Sequence, residues 1–142
     1  EGFVAHHDGE SWRRLPISTA AHLNCVHVVS SDDIFIVGSA GTILRGNARS
    51  GFGVISRNPV DTDWLSITAL AGVTYLSGDD GIYQVVNDVA VRLDISDDFA
   101  LRDVSEIEAK DGVLWALSPG KLVRLSQGHW EAFQHPNNWV AA

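Results

Sequence analysis

The side chains that could carry chemistry in this sequence are mostly aspartates. Asp79-Asp80 and Asp97-Asp98 are adjacent pairs, and Asp61, Asp63, Asp94 and Asp103 lie in the stretches around them. Carboxylate pairs offer hard oxygen ligands to calcium, yet no D-x-D-x-D-G spacing accompanies them. Aspartate is also the ordinary turn residue, whose side chain caps local backbone amides. The histidines offer less. His6 and His7 are neighbours, so in a strand they point to opposite faces and cannot share a metal. His22, His27, His129 and His135 are scattered, with no H-x-x-x-H and a single cysteine, Cys25, so no zinc-type ligand set is present. No metal or cofactor is expected.

Nucleophilic catalysis fares no better, because a serine needs a base and an orienting group, and no Gly-x-Ser-x-Gly elbow occurs. Gly38-Ser39-Ala40-Gly41 reads as a turn in which glycine supplies a backbone other residues resist. Among the 5 tryptophans, Trp12, Trp115 and Trp130 fall in strand-like runs and are expected to pack between sheets, where flat rings fill the gaps. Trp64 and Trp139 fall in a connection and in the tail. Either is a candidate exposed anchor for a protein or platform for a sugar.

The elements that position these residues follow from an internal period. Ile34-Phe35-Ile36-Val37-Gly38 has counterparts in Val73-Thr74-Tyr75-Leu76-Ser77 and Val113-Leu114-Trp115-Ala116-Leu117. After each comes a turn closing on glycine (Gly41, Gly81, Gly120) and a second β-rich run; Phe3-Val4-Ala5-His6 after Gly2 is a fourth copy of that second run. The glycines recur every 39 to 40 positions, which marks a repeat architecture. Each repeat reads as four short strands, A to D. Strand A covers 25–29, 66–70 and 104–108, strand B the runs at 34, 73 and 113, and strand C the run after each glycine. Strand D covers 12–16, 53–57, 89–93 and 130–134. These runs are rich in β-branched and aromatic residues and bounded by Gly, Asp, Asn and Ser. The stretch 18–23 is too short to show a helical period. The fold class is all-β: β-propeller blades of four antiparallel strands, about three and a half of them, with the ring incomplete in this chain. The chain reads as one propeller segment, 1–142, with a half-blade at 1–17, blades at about 22–57, 64–95 and 103–135, and a tail at 136–142.

Particular residues also resemble a known group. Val37-Gly38-Ser39-Ala40-Gly41-Thr42-Ile43-Leu44-Arg45 looks like the VGxxGTIL run of bacterial propellers of the BNR and photosystem-II-assembly-factor kind, and the blades are similar to WD/YVTN-type propellers. Asp8-Gly9-Glu10-Ser11-Trp12 resembles the turn of their Asp-box, S-x-D-x-G-x-T-W. Gly9 and Trp12 match, Ser11 stands in for threonine, and His7 and Ala5 replace the box aspartate and serine, so the box is degenerate. Ser126-Gln127-Gly128-His129-Trp130 is a looser copy. The resemblance implies architecture rather than activity, because propellers host unrelated roles. Sialidases share Asp-box propellers and hold a substrate carboxylate with clustered arginines. Here Arg13, Arg14, Arg45, Arg49, Arg57, Arg92, Arg102 and Arg124 lie in or near strands C and D, toward the blade exterior, which does not fit a central pocket.

Closure needs at least about four blades, and unpaired strand edges are normally covered. Further polypeptide, a second copy or another protein is therefore expected to complete the ring, with an open or three-bladed arrangement as the alternative. Doubling leaves each half-blade without its A and B strands. The chain begins at Glu1, just before a repeat glycine, and holds no methionine, which fits a piece of a longer propeller.

Composition narrows the partner. In 142 residues there are 18 acidic and 10 basic side chains, a net charge of −8. That balance argues against nucleic acid and anionic membrane, which are held by Lys/Arg patches. No apolar run is long enough for membrane insertion. A lone cysteine makes no internal disulfide, so the fold does not depend on an oxidising compartment, and no compartment is assigned.

Strand parity places the B–C turns and D–A connections on one rim. That rim collects Asp61, Asp63, Asp79, Asp80, Asp94, Asp97, Asp98 and Asp103 against Arg57, Arg102 and Lys121. The opposite rim carries Asp8, Glu10, Asp32, Asp33, Asp88 and Asp111. The expected function is non-catalytic protein binding, as an inhibitor, immunity-type partner or assembly factor. Its expected contact residues are Asp61, Asp63, Trp64, Asp79, Asp80, Asp97, Asp98 and Trp139. A carbohydrate-binding propeller is the alternative.

Overall fold

A computed structural model of the chain describes residues 2–55, 61–95 and 101–134. They form fourteen strands in four separate antiparallel sheets. A two-stranded half-blade, β1 (Val4–His7) with β2 (Trp12–Leu15), is followed by three four-stranded blades. Blade 1 is β3 (Leu23–Ser30), β4 (Asp33–Gly38), β5 (Ile43–Asn47) and β6 (Gly51–Val54). Blade 2 is β7 (Trp64–Leu70), β8 (Val73–Gly78), β9 (Gly81–Val86) and β10 (Val89–Arg92). Blade 3 is β11 (Glu106–Lys110), β12 (Val113–Ser118), β13 (Lys121–Ser126) and β14 (His129–Gln134). Each sheet pairs its strands in sequence order. The described residues contain no helix, 18–23 included, so none is long and apolar enough to cross a membrane. The ring does not close.

Local chemistry explains the hairpins. The A–B turns Ala71-Gly72 and Asp111-Gly112 and the C–D turns Asn87-Asp88 and Gln127-Gly128 have positive φ at both residues. That mirror-image turn matches strand twist, which is why Gly, Asn and Asp gather there. Strand starts shift where a neighbouring blade competes for the backbone. The third A strand begins at Glu106 rather than at 104, because Val104 N bonds Gly78 O of blade 2 instead of joining the ladder. The second begins two residues early, at Trp64. The first full D strand begins two residues before its expected start, at Gly51, and runs to Val54, while 56–57 lie outside the described residues.

The core lies in the seams between blades. The rear of blade 1 (Phe35, Val37, Ile43) packs on the front of blade 2 (Ile67, Leu76, Tyr83). The rear of blade 2 (Tyr75, Ile82, Leu93) meets the front of blade 3 (Ile107, Ala116, Val123, Trp130). Alternation of side chains across each strand supplies both faces. The half-blade covers only the outer part of the front of blade 1. Leu44 is fully buried there, but Val26 is 60% exposed, while its register equivalents Ile67 and Ile107 are 4% and 2% exposed. Among the described residues only two strands form the half-blade, and a cleft of about 280 Å³ lies beside them, lined by Phe3, Val4, Leu23, Val26 and Ile36.

The tryptophans divide accordingly. Trp130 packs in the seam between blades 2 and 3, and Trp115 is half-buried. Trp12 departs from the expected inter-blade packing. It pairs with His7 as Trp130 pairs with Leu125, yet it is 72% exposed, because no described blade stands before the half-blade.

Candidate partner-binding rim

The B–C turns and D–A connections form one rim, and hydrogen bonds fasten the turns of blades 1 and 2 to the entry of the next blade. In blade 1, Ser39 N donates to His22 O (2.9 Å) and His22 N donates to Ser39 Oγ (3.1 Å). On the other side Gly41 N donates to Thr62 O at 2.8 Å and Ala40 N to the Asp63 carboxylate at 2.9 Å, both in the entry to blade 2. Glycine is required at Gly38 by closeness, since a Cβ there would stand 1.9 Å from His22 O. The pattern recurs between blades 2 and 3, where Asp103 N donates to Asp79 O (2.9 Å) and Val104 N to Gly78 O (3.1 Å). Within blade 3, Ser118 Oγ donates to Arg102 O at 2.8 Å.

The aspartates expected to meet a partner split into two groups. Asp63 and Asp80 serve the fold. Asp63 caps the blade 1 turn, and Asp80 accepts from Tyr83 Oη at 2.6 Å and from Thr62 Oγ1 at 3.3 Å. Arg92 donates to the Asp80 carbonyl at 2.7 Å. Burial pushes the Tyr83 phenol above its ordinary value, and its hydrogen bond to Asp80 adds to the rise. Asp61, Asp79, Asp94 and Asp103 are exposed and make no side-chain bond among the described residues. These two groups form one run along the rim, from the Ala40 turn through 61–63 and 79–80 to Asp103. Asp97, Asp98 and Trp139 lie outside the described residues.

Trp64 corrects the expectation of an exposed anchor. It is the first residue of β7 rather than part of a loop, and it is fully buried. Its ring meets Tyr83 edge-on at 4.8 Å, and its carbonyl accepts from Asn24 Nδ2 at 2.8 Å. An indole held this way offers no platform to a sugar or a protein. The roles of Thr62, Tyr83 and Arg92 went unread in the sequence. A hydroxyl-bearing Tyr83 two residues after the repeat glycine was the available signal.

The opposite rim has comparable acidity but spends more of it internally. Arg45 holds Asp33 at 2.7 Å and reaches Asp88 at 3.6 Å, and Arg49 lies 3.4 Å from Asp32. Asp8 accepts from the amides of Glu10 and Ser11, both at 2.9 Å, and those amides hold its carboxyl below the usual range. The Arg45 hydrogen bond likewise lowers Asp33. Among the described residues, Asp61, Asp79, Asp94 and Asp103 of the first rim stay unbonded, whereas on the opposite rim Asp32, Asp33 and Asp88 meet an arginine. Among the described residues no cluster of three His, Cys, Asp or Glu side chains could hold a metal ion.

Comparison with known proteins agrees with this architecture. No protein-family model matches the chain. It is similar to the immune protein Tsi7 of Pseudomonas aeruginosa, 25% identical over 130 residues that cover 92% of this chain and 42% of that protein. Among solved structures it resembles a catalytically inactive virginiamycin B lyase from Staphylococcus aureus with quinupristin (TM-score 0.74, 16% identity, 94% of this chain and 49% of the other). It also resembles the WD40 propeller domain of Doa1 (0.65, 16%, 85% and 43%) and YCF48 bound to D1 peptide (0.61, 13%, 93% and 46%). The chain spans less than half the length of each of these proteins, and what it shares with the solved structures is the β-propeller fold.

Proposed function

We propose that this chain is a non-catalytic propeller segment that binds a basic protein through its B–C/D–A rim, in an immunity-type role. The observation that carries the reading is the row of exposed, unbonded carboxylates at Asp61, Asp79, Asp94 and Asp103 on that rim. Uncompensated charge of one sign steers an oppositely charged partner and suppresses wrong ones. The similarity to an immune protein supports the same role. The Asp97-Asp98 pair and Trp139 belong to the proposed contact as well, and Trp64 does not.

Kinship with BNR/Asp-box propellers is part of the proposal. His7 stands in the place of the box aspartate, and its Nδ1 accepts from Gly9 N at 3.1 Å, so the degenerate box keeps a side chain closing its turn.

The test is co-expression with basic toxic protein domains in a bacterial host, scored by growth and by recovery of the complex. One such domain is neutralised and co-purifies. Joint replacement Asp61→Lys, Asp79→Lys and Asp103→Lys abolishes protection and weakens binding at least about tenfold, with the loss deepest at low salt. Asp111→Lys on the opposite rim leaves both intact. Protection that survives the triple replacement sinks the rim reading. Specific binding on a glycan array sinks the protein-only one.

A further inference from the structure

The seam between blades 1 and 2 opens into a cavity on the rim of the A–B and C–D turns. Both blades that form it are complete, with four strands each. Its volume is about 320 Å³. Val29, Phe35, Ala69 and Val85 give it apolar walls, and Asp33, Arg45, Thr74, Asn87 and Asp88 line it with polar groups.

The repeat shows what is particular to this seam. Thr74 and Val85, which pair across β8 and β9, correspond to Leu114 and Leu125, which pair across β12 and β13 in the seam between blades 2 and 3. Leu114 is fully buried there. Smaller side chains in the first seam leave room that leucines take up in the second. Charge is confined to the same place. Asp33, Arg45 and Asp88 correspond to Val73, Gln84 and Gly128, all neutral. Space and charge thus occur together in one seam, a combination that packing alone does not require.

The charges do not all satisfy one another. Arg45 grips the Asp33 carboxylate through two hydrogen bonds, 2.7 and 3.0 Å long, and that pair is neutral as a unit. Asp88 stands 3.6 Å from Arg45 Nη1, too far for a good hydrogen bond, and its side chain is 42% exposed. The cavity therefore carries one net negative charge. Thr74 and Asn87 make no side-chain bond among the described residues. A carboxylate, a hydroxyl and an amide oxygen match the three N–H donors of a primary ammonium group. The apolar walls suit an alkyl stem, which a lysine-like chain buries while its head stays near water.

We propose that this cavity binds a primary alkylammonium group, with its chain along Val29, Ala69 and Val85 and its head at Asp88, Asn87 and Thr74. The group is either the side chain of a lysine presented by a protein or a free aliphatic amine. The site lies on the rim opposite the one proposed for a basic protein and does not depend on that reading.

Pentylamine tests it, followed by amide NMR of the folded chain, with pentanoate as a control of equal length and opposite charge. Pentylamine should shift the amides of Val29, Thr74, Val85, Asn87 and Asp88 with a dissociation constant of about 1 mM, ordinary for so few atoms. Pentanoate should not. Asp88→Asn keeps the turn, because asparagine accepts its positive φ, and should weaken binding about tenfold or more through loss of a charge-assisted bond. A chain of net charge −8 attracts any amine diffusely, and dependence on Asp88 separates this site from that background. Thr74→Leu with Val85→Leu copies blade 3, fills the cavity and should abolish binding with the native circular dichroism retained. Should that pair fail to fold, Asp88→Asn still decides. A blocked tripeptide with a central lysine distinguishes the sources: tighter binding than pentylamine supports a protein's lysine, weaker binding a free amine. No shift with either amine, equal binding of pentanoate, or indifference to a folded replacement overturns the proposal.

Discussion

Arg45 sits between two carboxylates while its guanidinium covers the Phe35 ring, so one side chain joins a strand, the following blade and an aromatic wall. Its bond to Asp33 has a measurable signature. The Asp33 carboxyl is depressed from its ordinary value of 3.8, chiefly by that hydrogen bond. A depressed acid stabilises the fold above its unfolded value, and the contribution is lost as pH falls through the lower folded one. Both side chains are partly exposed, so the contribution is modest, about 0.2–1 kcal/mol. Carboxyl NMR titration should place Asp33 below 3.8, and Arg45→Ala should return it toward 3.8 and flatten the acid limb of stability. Tyr83 gives the opposite sign. Its phenol is raised above 10.0, so its contribution is complete below that pH and is lost as pH rises through the higher folded value. Tyr83→Phe should cost about 1–3 kcal/mol, since Asp80 loses a charge-assisted bond. It should also abolish the tyrosinate absorbance step that titrates late in the native protein.

At the scale of elements, the strand is the unit of sequence legibility and the seam is the unit of stability. The period of 39 to 40 located every strand to within a few residues, because alternation and turn chemistry are local. The A strands were placed least well. The residues just before the second and third of them bond to the preceding blade's turn, a partner that no local pattern reveals. Seam burial separates positions that are equivalent in sequence. Ile67→Ala removes side-chain bulk from a closed seam and should cost about 2–5 kcal/mol in urea unfolding. Val26→Ala, at the same register but beside the open cleft, should stay within about 0.5 kcal/mol. Equal losses at the two sites would mean that the cleft is filled in solution.

For the whole molecule, the decisive property is how charge and apolar surface are apportioned rather than how much of each there is. One rim leaves Asp61, Asp79, Asp94 and Asp103 to solvent, while on the other Arg45 and Arg49 take up Asp33, Asp88 and Asp32. The apolar faces at the two ends are counterparts of the buried seams. If the rim steers a basic partner, association should slow steeply as ionic strength rises toward the Debye regime of about 8 Å, while dissociation changes little. Stopped-flow or biosensor kinetics across a salt series would read this directly. An association rate indifferent to salt would count against the rim.

The amino-acid sequence by itself determined the all-β class, the four-strand repeat, the blade count and the rim on which each turn lies. Those depend on side-chain alternation and on backbone conformations that Gly, Asn and Asp permit locally. Only the tertiary structure decided which residues are spent on the fold and which remain available. Asp63 and Asp80 carry the same residue type as Asp61 and Asp79 beside them, yet the first pair bonds across to other elements and the second does not. Trp64 and Trp12 exchanged their expected places, one buried and one exposed. Each outcome depends on what stands across a seam, in many cases a blade about 40 residues away, and neighbours at that distance leave no mark on the local pattern.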